Sequence, residues 1–147
     1  MRKTFTVIFI IAMMITVFVF EPFSSEPPAP TVTAGNTNIP TVQGSYCWDR
    51  IFSSQCVDKA YTSTLDMAKS HRPTTVSPNQ KVIIEFSKEP IAGTFTVEQL
   101  LDEENSIETK ISDDSITVPQ EKGIYSYHIR ADWKQGGGNY AFSVEVK

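Results

Sequence analysis

The C-terminal part of the chain alternates apolar and polar side chains with a period of two. From Tyr125 to Trp133 the odd-numbered positions are apolar, while His128 and Arg130 fall on the opposite face. The alternation resumes from Tyr140 to Val146, after a glycine-rich segment at Gln135–Asn139. We expect a long β-hairpin that turns at this segment. Because a lone two-stranded ribbon is only marginally stable, its aromatic face must pack on a second sheet.

Shorter runs of the same period precede the hairpin from residue 74 onwards. They are separated by turn-forming Asn, Asp, Gly and Pro residues, a spacing that is typical of an antiparallel β-sandwich. We therefore predict one sandwich over residues 74–147. The positions expected to point inward in these runs are Val82, Ile84, Phe86, Phe95, Val97, Ile116 and Val118.

Residues 46–73 are predicted to form a disulfide loop followed by a short helix. Cys47 and Cys56 can close a small ring in an oxidising compartment, which stabilises the fold by roughly 2.5–3 kcal/mol. A zinc pair would need further ligands, and a redox pair is usually spaced C-x-x-C. Ser63–Asp66 resembles a capping box, so a helix of one to three turns should begin there and end before Pro73.

The disulfide loop carries large apolar side chains, which have two interpretations. Tyr46, Trp48 and Phe52 form a possible contact surface, since aromatic residues are common binding anchors. Alternatively, Trp48 and Phe52 cap one end of the sandwich and the disulfide fixes them there. Packing is the preferred interpretation.

The N-terminal residues predict export across a membrane. Arg2 and Lys3 precede an uncharged run from Thr4 to Phe20, which as a helix spans roughly 25 Å. Residues 1–20 are therefore predicted to be a signal peptide or an N-terminal transmembrane anchor, with the N-terminus inside and the remainder outside. The protein would be a single-pass protein of the cell membrane, or secreted if the signal is cleaved. Residues 21–45 are rich in Pro, Ser and Thr and are predicted to be a linker.

Charge and motifs exclude several functions. The net charge is −4, from 13 basic and 17 acidic residues, which argues against nucleic-acid binding. His71 and His128 lie in no catalytic or metal-binding motif, and we expect both at the surface or at a rim. Gly136–Gly138 is explained by a hairpin connection rather than a phosphate loop. No catalytic, metal or cofactor-binding residue is predicted, and no cofactor.

The run from Glu121 to Tyr127 (EKGIYSY) resembles the acidic-x-Gly-x-Tyr-x-Cys corner of immunoglobulin-like domains. The resemblance implies that the hydroxyl of Tyr125 bonds to backbone upstream and that Tyr127 takes the place of the core cysteine. An inter-sheet disulfide is impossible, because both cysteines precede the predicted strands. The expected fold is mostly β: an N-terminal hydrophobic helix, then a disulfide loop and short helix, then an Ig-like antiparallel β-sandwich.

The exported part also resembles small membrane-anchored or secreted proteins of spore-forming Gram-positive bacteria, in which a segment like Gly44–Trp48 precedes an Ig-like domain. A weaker similarity is to the intracellular proteinase inhibitor fold. Because no catalytic motif is found, we predict a non-enzymatic extracytoplasmic binding module of the cell envelope, which binds a protein, peptide or cell-wall partner through the disulfide loop or an exposed edge strand. The alternative is a secreted or membrane-tethered proteinase inhibitor that inserts an exposed loop, Gln135–Asn139 or Asp102–Ser106, into a protease cleft.

Overall fold

The computed structural model describes residues 2–20, 26–50 and 53–147, and the side chains of all of these except 2–5 and 16–20. The N-terminal apolar run forms helix α1, Arg2–Phe20. Within the residues described, no helix has both the length and the apolarity needed to cross a membrane.

The rest of the described chain is almost entirely β-structure. In chain order its elements are β1 (Pro30–Ala34), β2 (Thr37–Ile39), β3 (Val42–Gln43), β4 (Tyr46–Asp49), β5 (Ser54–Val57), α2 (Thr64–Ala68), β6 (Thr74–Val76), β7 (Lys81–Phe86), β8 (Thr96–Leu100), β9 (Ser106–Glu108), β10 (Ser115–Thr117), β11 (Gly123–Trp133) and β12 (Gly136–Val146).

These strands form two sheets. The small sheet has the order β10-β7-β1-β2, and the large sheet runs β5-β4-β12-β11-β8-β9. Strand β12 is long enough for three strands to share its other edge: β4 and β3 pair antiparallel with it, and β6 pairs parallel. Every other pairing between the strands is antiparallel.

The hydrophobic core lies between the two sheets and contains the side chains that the alternation assigned to the inner faces. The aromatic face of the β11–β12 hairpin is buried along most of its length, with Tyr127, Ile129, Tyr140 and Phe142 at most 1% exposed. The small sheet contributes Val32, Ile39, Val82, Ile84 and Ile116 to the same cluster. The predicted mostly-β, two-layer architecture is confirmed.

The tether predicted over residues 21–45 is wrong for residues 30–43. Strand β1 pairs with β2 on one side and β7 on the other, so that Val32 lies opposite both Ile39 and Ile84. Val32 and Ile39 are each 1% exposed. The sandwich therefore begins well before residue 74. Residues 21–25 lie outside the described part of the chain.

The predicted glycine-rich turn at Gln135–Asn139 is also wrong. The β11–β12 turn consists of Lys134 and Gln135, and the glycines lie inside β12. Gly136 has φ +147°, and a Cβ atom there would lie 2.1 Å from the carbonyl oxygen of Cys47. Glycine is needed here because β4 approaches the backbone of β12 closely.

Helix α2 confirms the predicted cap. The Ser63 hydroxyl accepts a hydrogen bond from the backbone N–H of Asp66 at 3.1 Å, and the Asp66 carboxylate accepts one from Thr62 N–H at 3.2 Å. Met67 and Ala68 pack in a second, smaller apolar cluster with Val42 and Ala141 on the outer face of the large sheet. This end of the outer face is therefore covered.

Candidate functional site

The predicted disulfide is present. Cys47 and Cys56 lie opposite each other on β4 and β5, with their sulfur atoms 1.95 Å apart. What was predicted as a loop is thus a cross-linked pair of strands at the edge of the large sheet. This pair of strands is attached to the rest of the sheet by β4, whose residues Cys47 and Trp48 pair with β12.

The aromatic residues beside the disulfide divide between the core and the surface. Trp48 is 2% exposed and contacts Trp133 edge to face, with ring centroids 6.0 Å apart. The packing interpretation is confirmed for Trp48, and its assignment to a contact surface is wrong because its side chain is buried. Tyr46 is half-buried and only partly packed against this cluster. Phe52 lies outside the described residues.

A concave region of about 610 Å³ lies on the outer face of the large sheet, next to the disulfide. We call it the polar groove. Its floor is formed by Thr96, Glu98, Arg130, Asp132, Gly137 and Asn139. Its wall is formed by Ser45, Tyr46 and Asp58 on one side and by Thr94 at one end. No motif in the sequence indicated this site.

The floor side chains are brought together by the register of three neighbouring strands. Thr96 of β8 lies opposite Arg130 of β11, which in turn lies opposite Asn139 of β12. In the next rows, Asp132 pairs with Gly137 and Glu98 pairs with His128. Arg130 therefore occupies the middle strand and the middle row, between carboxylates on either side.

Two glycines allow the floor side chains to lie across the neighbouring strand. A Cβ atom at Gly137 would lie 2.4 Å from Oδ1 of Asp132, and one at Gly44 would lie 2.1 Å from Oδ1 of Asn139. The carboxylate of Asp132 thus occupies the space above Gly137 that any other residue would fill. The missing side chain at Gly137 deepens the groove on this side of β12.

The wall of the groove is fixed by hydrogen bonds. Thr94 Oγ1 accepts from the backbone N–H of Asp132 at 3.1 Å and donates to the carbonyl of Ile91 at 2.8 Å. On the other side, Nδ2 of Asn139 donates to the carbonyl of Ser45 at 2.6 Å, and Ser45 Oγ accepts from Lys59 N–H at 2.9 Å. Both sides are therefore tied to the strands that form the floor.

The charged ends of Arg130 and Asp132 are not used within the fold. Among the residues described, neither side chain forms an ion pair or a hydrogen bond, although both lie on the same face of β11. An arginine and a carboxylate without internal partners, in a concave site, are available to a ligand.

His128 lies beside the groove, next to Glu98. As predicted it faces away from the core, but its side chain is only 12% exposed, with Nδ1 3.7 Å from Oε2 of Glu98. Burial lowers the pKa of His128 below its ordinary value of 6.5, against the opposing effect of a hydrogen bond to Asn139. It is therefore uncharged at neutral pH. His71 is exposed and follows α2.

Of the two segments proposed as protease-inhibiting loops, only Asp102–Ser106 contains a loop in the structure. Gly136–Asn139 belongs to β12 and is not a loop. The other loop connects β8 and β9 and is exposed, and the carboxylate of Asp102 in this loop accepts hydrogen bonds from the backbone N–H groups of Glu104 and Asn105 at 2.9 and 2.8 Å. A bond from the Asn105 side chain and these backbone bonds lower the pKa of Asp102. Leu101 beside it is 56% exposed.

The described residues contain no group of three or more His, Cys, Asp or Glu side chains that could hold a metal ion. The chain matches no protein-family model, no curated protein and no solved structure. The hydroxyl of Tyr125 does donate to the carbonyl of Glu121 at 3.0 Å, as the Ig-like corner implies. That bond is a local feature, and the Ig-like fold itself stays a prediction.

Proposed function

We propose that this protein is a non-enzymatic extracytoplasmic binding module of the cell envelope, and that the polar groove is its binding surface. The observation that carries the proposal is the pair formed by Arg130 and Asp132. Both project into a concave site with no internal hydrogen-bonding partner among the described residues. Both side chains are exposed, so a ligand can reach their charged groups without displacing an internal partner.

Two features support a location outside the cytoplasm. The Cys47–Cys56 disulfide is of the kind that persists in oxidising compartments. The uncharged run Thr4–Phe20 after two basic residues favours export, with residues 1–20 as an anchor or a signal peptide.

The surroundings of the histidines support a binding role over catalysis. In the part of the chain that the structure describes, no hydrogen bond joins a histidine to a serine, threonine or cysteine, so a nucleophile–base pair has no structural basis there. The groove instead presents an arginine, an amide, hydroxyls and carboxylates, which are recognition groups.

The proposal is tested by retention of envelope fractions on the immobilised full-length chain. Wild type is compared with Arg130→Gln and Asp132→Asn. The matched controls are Arg72→Gln and Asp113→Asn, at exposed positions outside the groove. Asp113 has φ +50°, a conformation that asparagine tolerates well. We expect the groove variants to retain about tenfold less material, which corresponds to about 1.4 kcal/mol. Equal retention by all four variants, or none by wild type, would contradict the proposal.

A proteinase inhibitor is the second candidate, and the loop at Asp102–Ser106 is the observation that favours it. The loop is exposed, and three hydrogen bonds to one oxygen of Asp102 hold it rigid. Inhibitory loops need such rigidity, because ordering a flexible loop opposes binding. The test is titration of secreted proteases with wild type and Asp102→Ala. Slowing by wild type, weakened in the variant, is expected, whereas unaffected proteases would exclude this role.

A further inference from the structure

We propose that the polar groove binds a neutral oligosaccharide, an inference that rests on the binding function proposed above. The juxtaposition that carries it is Arg130 at the centre of the floor, with Glu98, Asp132 and Asp58 around it.

The charge arrangement disfavours ligands that carry a run of like charges. An anionic polymer would meet three carboxylates against one guanidinium. A polycation would be attracted to those carboxylates, yet Arg130 lies between Glu98 and Asp132 and opposes a cation at the centre. Outward residues two apart on a strand are separated by about 7 Å, so a polycation that reaches Asp132 also meets Arg130 beside it on β11. A neutral ligand avoids both conflicts.

Sugar hydroxyls match the groups that the floor presents. Each hydroxyl donates one hydrogen bond and accepts others, so one ligand can donate to Asp132 and Glu98 while accepting from Arg130. Hydrogen bonds to charged groups are about twice as strong as neutral ones. The hydroxyl of Thr96, opposite Arg130, adds a further donor and acceptor on the same floor.

The volume of the groove suits a short chain of pyranose rings. At about 610 Å³ it lies within the range of small-molecule sites, yet its floor is polar, unlike the apolar pockets that bind most such ligands. The ring of Tyr46 lies on the face of β4 that carries Trp48 and packs against that core cluster, so the ligand is held by the polar groups of the floor.

An extended peptide fits the groove less well. Strands β8, β11 and β12 are each paired on both sides, so the floor has no free strand edge to which a peptide could add. The floor also lacks an apolar pocket for a side-chain anchor. A peptide is therefore treated as a competing outcome of the test.

The test is calorimetric titration of the full-length chain, held in a detergent whose head group contains no sugar. The probes are the tetramers of β-1,4-linked N-acetylglucosamine and β-1,4-linked glucose, the cationic glucosamine tetramer, and a tetralysine peptide. We expect a neutral tetramer to bind with a Kd between about 1 μM and 1 mM. Asp132→Asn and Arg130→Gln should each weaken binding about tenfold.

The matched controls are Asp113→Asn and Arg72→Gln, whose side chains are exposed outside the groove. Unchanged affinity in these controls supports the assignment. Tighter binding of tetralysine or the glucosamine tetramer than of the neutral tetramers would overturn it. If neither neutral tetramer binds up to about 10 mM while retention of envelope material still depends on Arg130, the ligand class is wrong and the binding module stands.

Discussion

The hydroxyl of Tyr127 gives the sharpest test of the core. The side chain is fully buried and its ring stacks on Phe142, with centroids 5.2 Å apart. Its hydroxyl has no hydrogen-bond partner among the described residues. Burial raises the pKa of Tyr127, because the ionised form would lose its hydration. The ring stabilises the fold, and the hydroxyl opposes it.

Replacing Tyr127 by phenylalanine should therefore stabilise the protein. A buried polar group without a partner costs about 1–3 kcal/mol, and the ring contact with Phe142 is kept. Removal of the oxygen also leaves a small void that offsets part of the gain. We expect a net increase of about 1 kcal/mol in the free energy of unfolding, or about 3–5 °C in Tm.

Two other tyrosines provide matched controls. The hydroxyl of Tyr140 donates to the carbonyl of Pro28 at 2.8 Å, and that of Tyr125 donates to the carbonyl of Glu121 at 3.0 Å. Tyr140→Phe and Tyr125→Phe remove a formed hydrogen bond. Each should therefore lower the free energy of unfolding by about 0.5–1.5 kcal/mol.

Urea unfolding of the three variants, followed by tryptophan fluorescence, measures these differences. The sign of the change separates the cases: Tyr127→Phe should move the midpoint to higher urea, and the two controls should move it to lower urea with the same slope. A Tyr127→Phe midpoint below that of wild type would show that the hydroxyl is hydrogen-bonded in solution and would refute the reasoning.

Three further predictions concern the sheet around the groove. Because burial lowers the pKa of His128 below its unfolded value, the unfolded chain binds the extra proton, and the free energy of unfolding should fall as the pH drops below about 6.5. Urea midpoints between pH 5 and 7.5 should show this slope in wild type and a smaller one in His128→Gln; equal slopes would contradict it. Reducing the Cys47–Cys56 disulfide should lower the free energy of unfolding by about 2–3 kcal/mol while circular dichroism keeps its β spectrum, and an unchanged midpoint would contradict this. In thermal melts, Gly136→Ala should destabilise the protein more than Gly93→Ala. A Cβ atom at Gly136 would clash with the backbone of β4. At Gly93 (φ +82°) nothing lies within 4 Å of the added Cβ atom, so only backbone strain of about 1 kcal/mol remains.

Long alternating runs made part of the fold predictable. Strands β11 and β12 have 11 residues each, enough for the period of two to identify the buried face before any pairing is known. The cap of α2 and the disulfide were also predictable from the sequence, because each depends on residues that are close together in the chain.

Strand β1 was not predictable from its own sequence. Its five residues, Pro30–Ala34, alternate apolar and polar side chains, but the run is short and lies inside a segment rich in Pro, Thr and Gly. The strand exists because β2 and β7 supply partners on its two sides, and β7 lies far along the chain, at Lys81–Phe86. Composition indicated a linker where tertiary pairing forms a central strand.

The polar groove depends on register that the sequence pattern leaves undetermined. Alternation correctly places Arg130 and Asp132 on the outward face of β11, but it leaves open which residues of β8 and β12 lie beside them. The glycines were assigned to a turn because glycine is common in turns. Their actual role, allowing β4 to approach β12, follows only from the contact of Gly136 with Cys47.

The disulfide and the groove are physically connected through this contact. Strand β5 lies at the edge of the large sheet and pairs with β4, while β4 meets β12 at Gly136 and Gly137, next to Asp132. The cross-link between Cys47 and Cys56 therefore holds the strand that carries Tyr46, which lines the wall of the groove. Since Trp48 packs against Ala131 and Trp133 in the core, oxidation is not needed to attach β4 to the large sheet. The disulfide instead stabilises the edge of the sheet. There β5 pairs with only one neighbour, β4, and is the strand that separates most easily. A binding surface built on such an edge keeps its shape best where the disulfide persists, which agrees with the proposed location outside the cytoplasm.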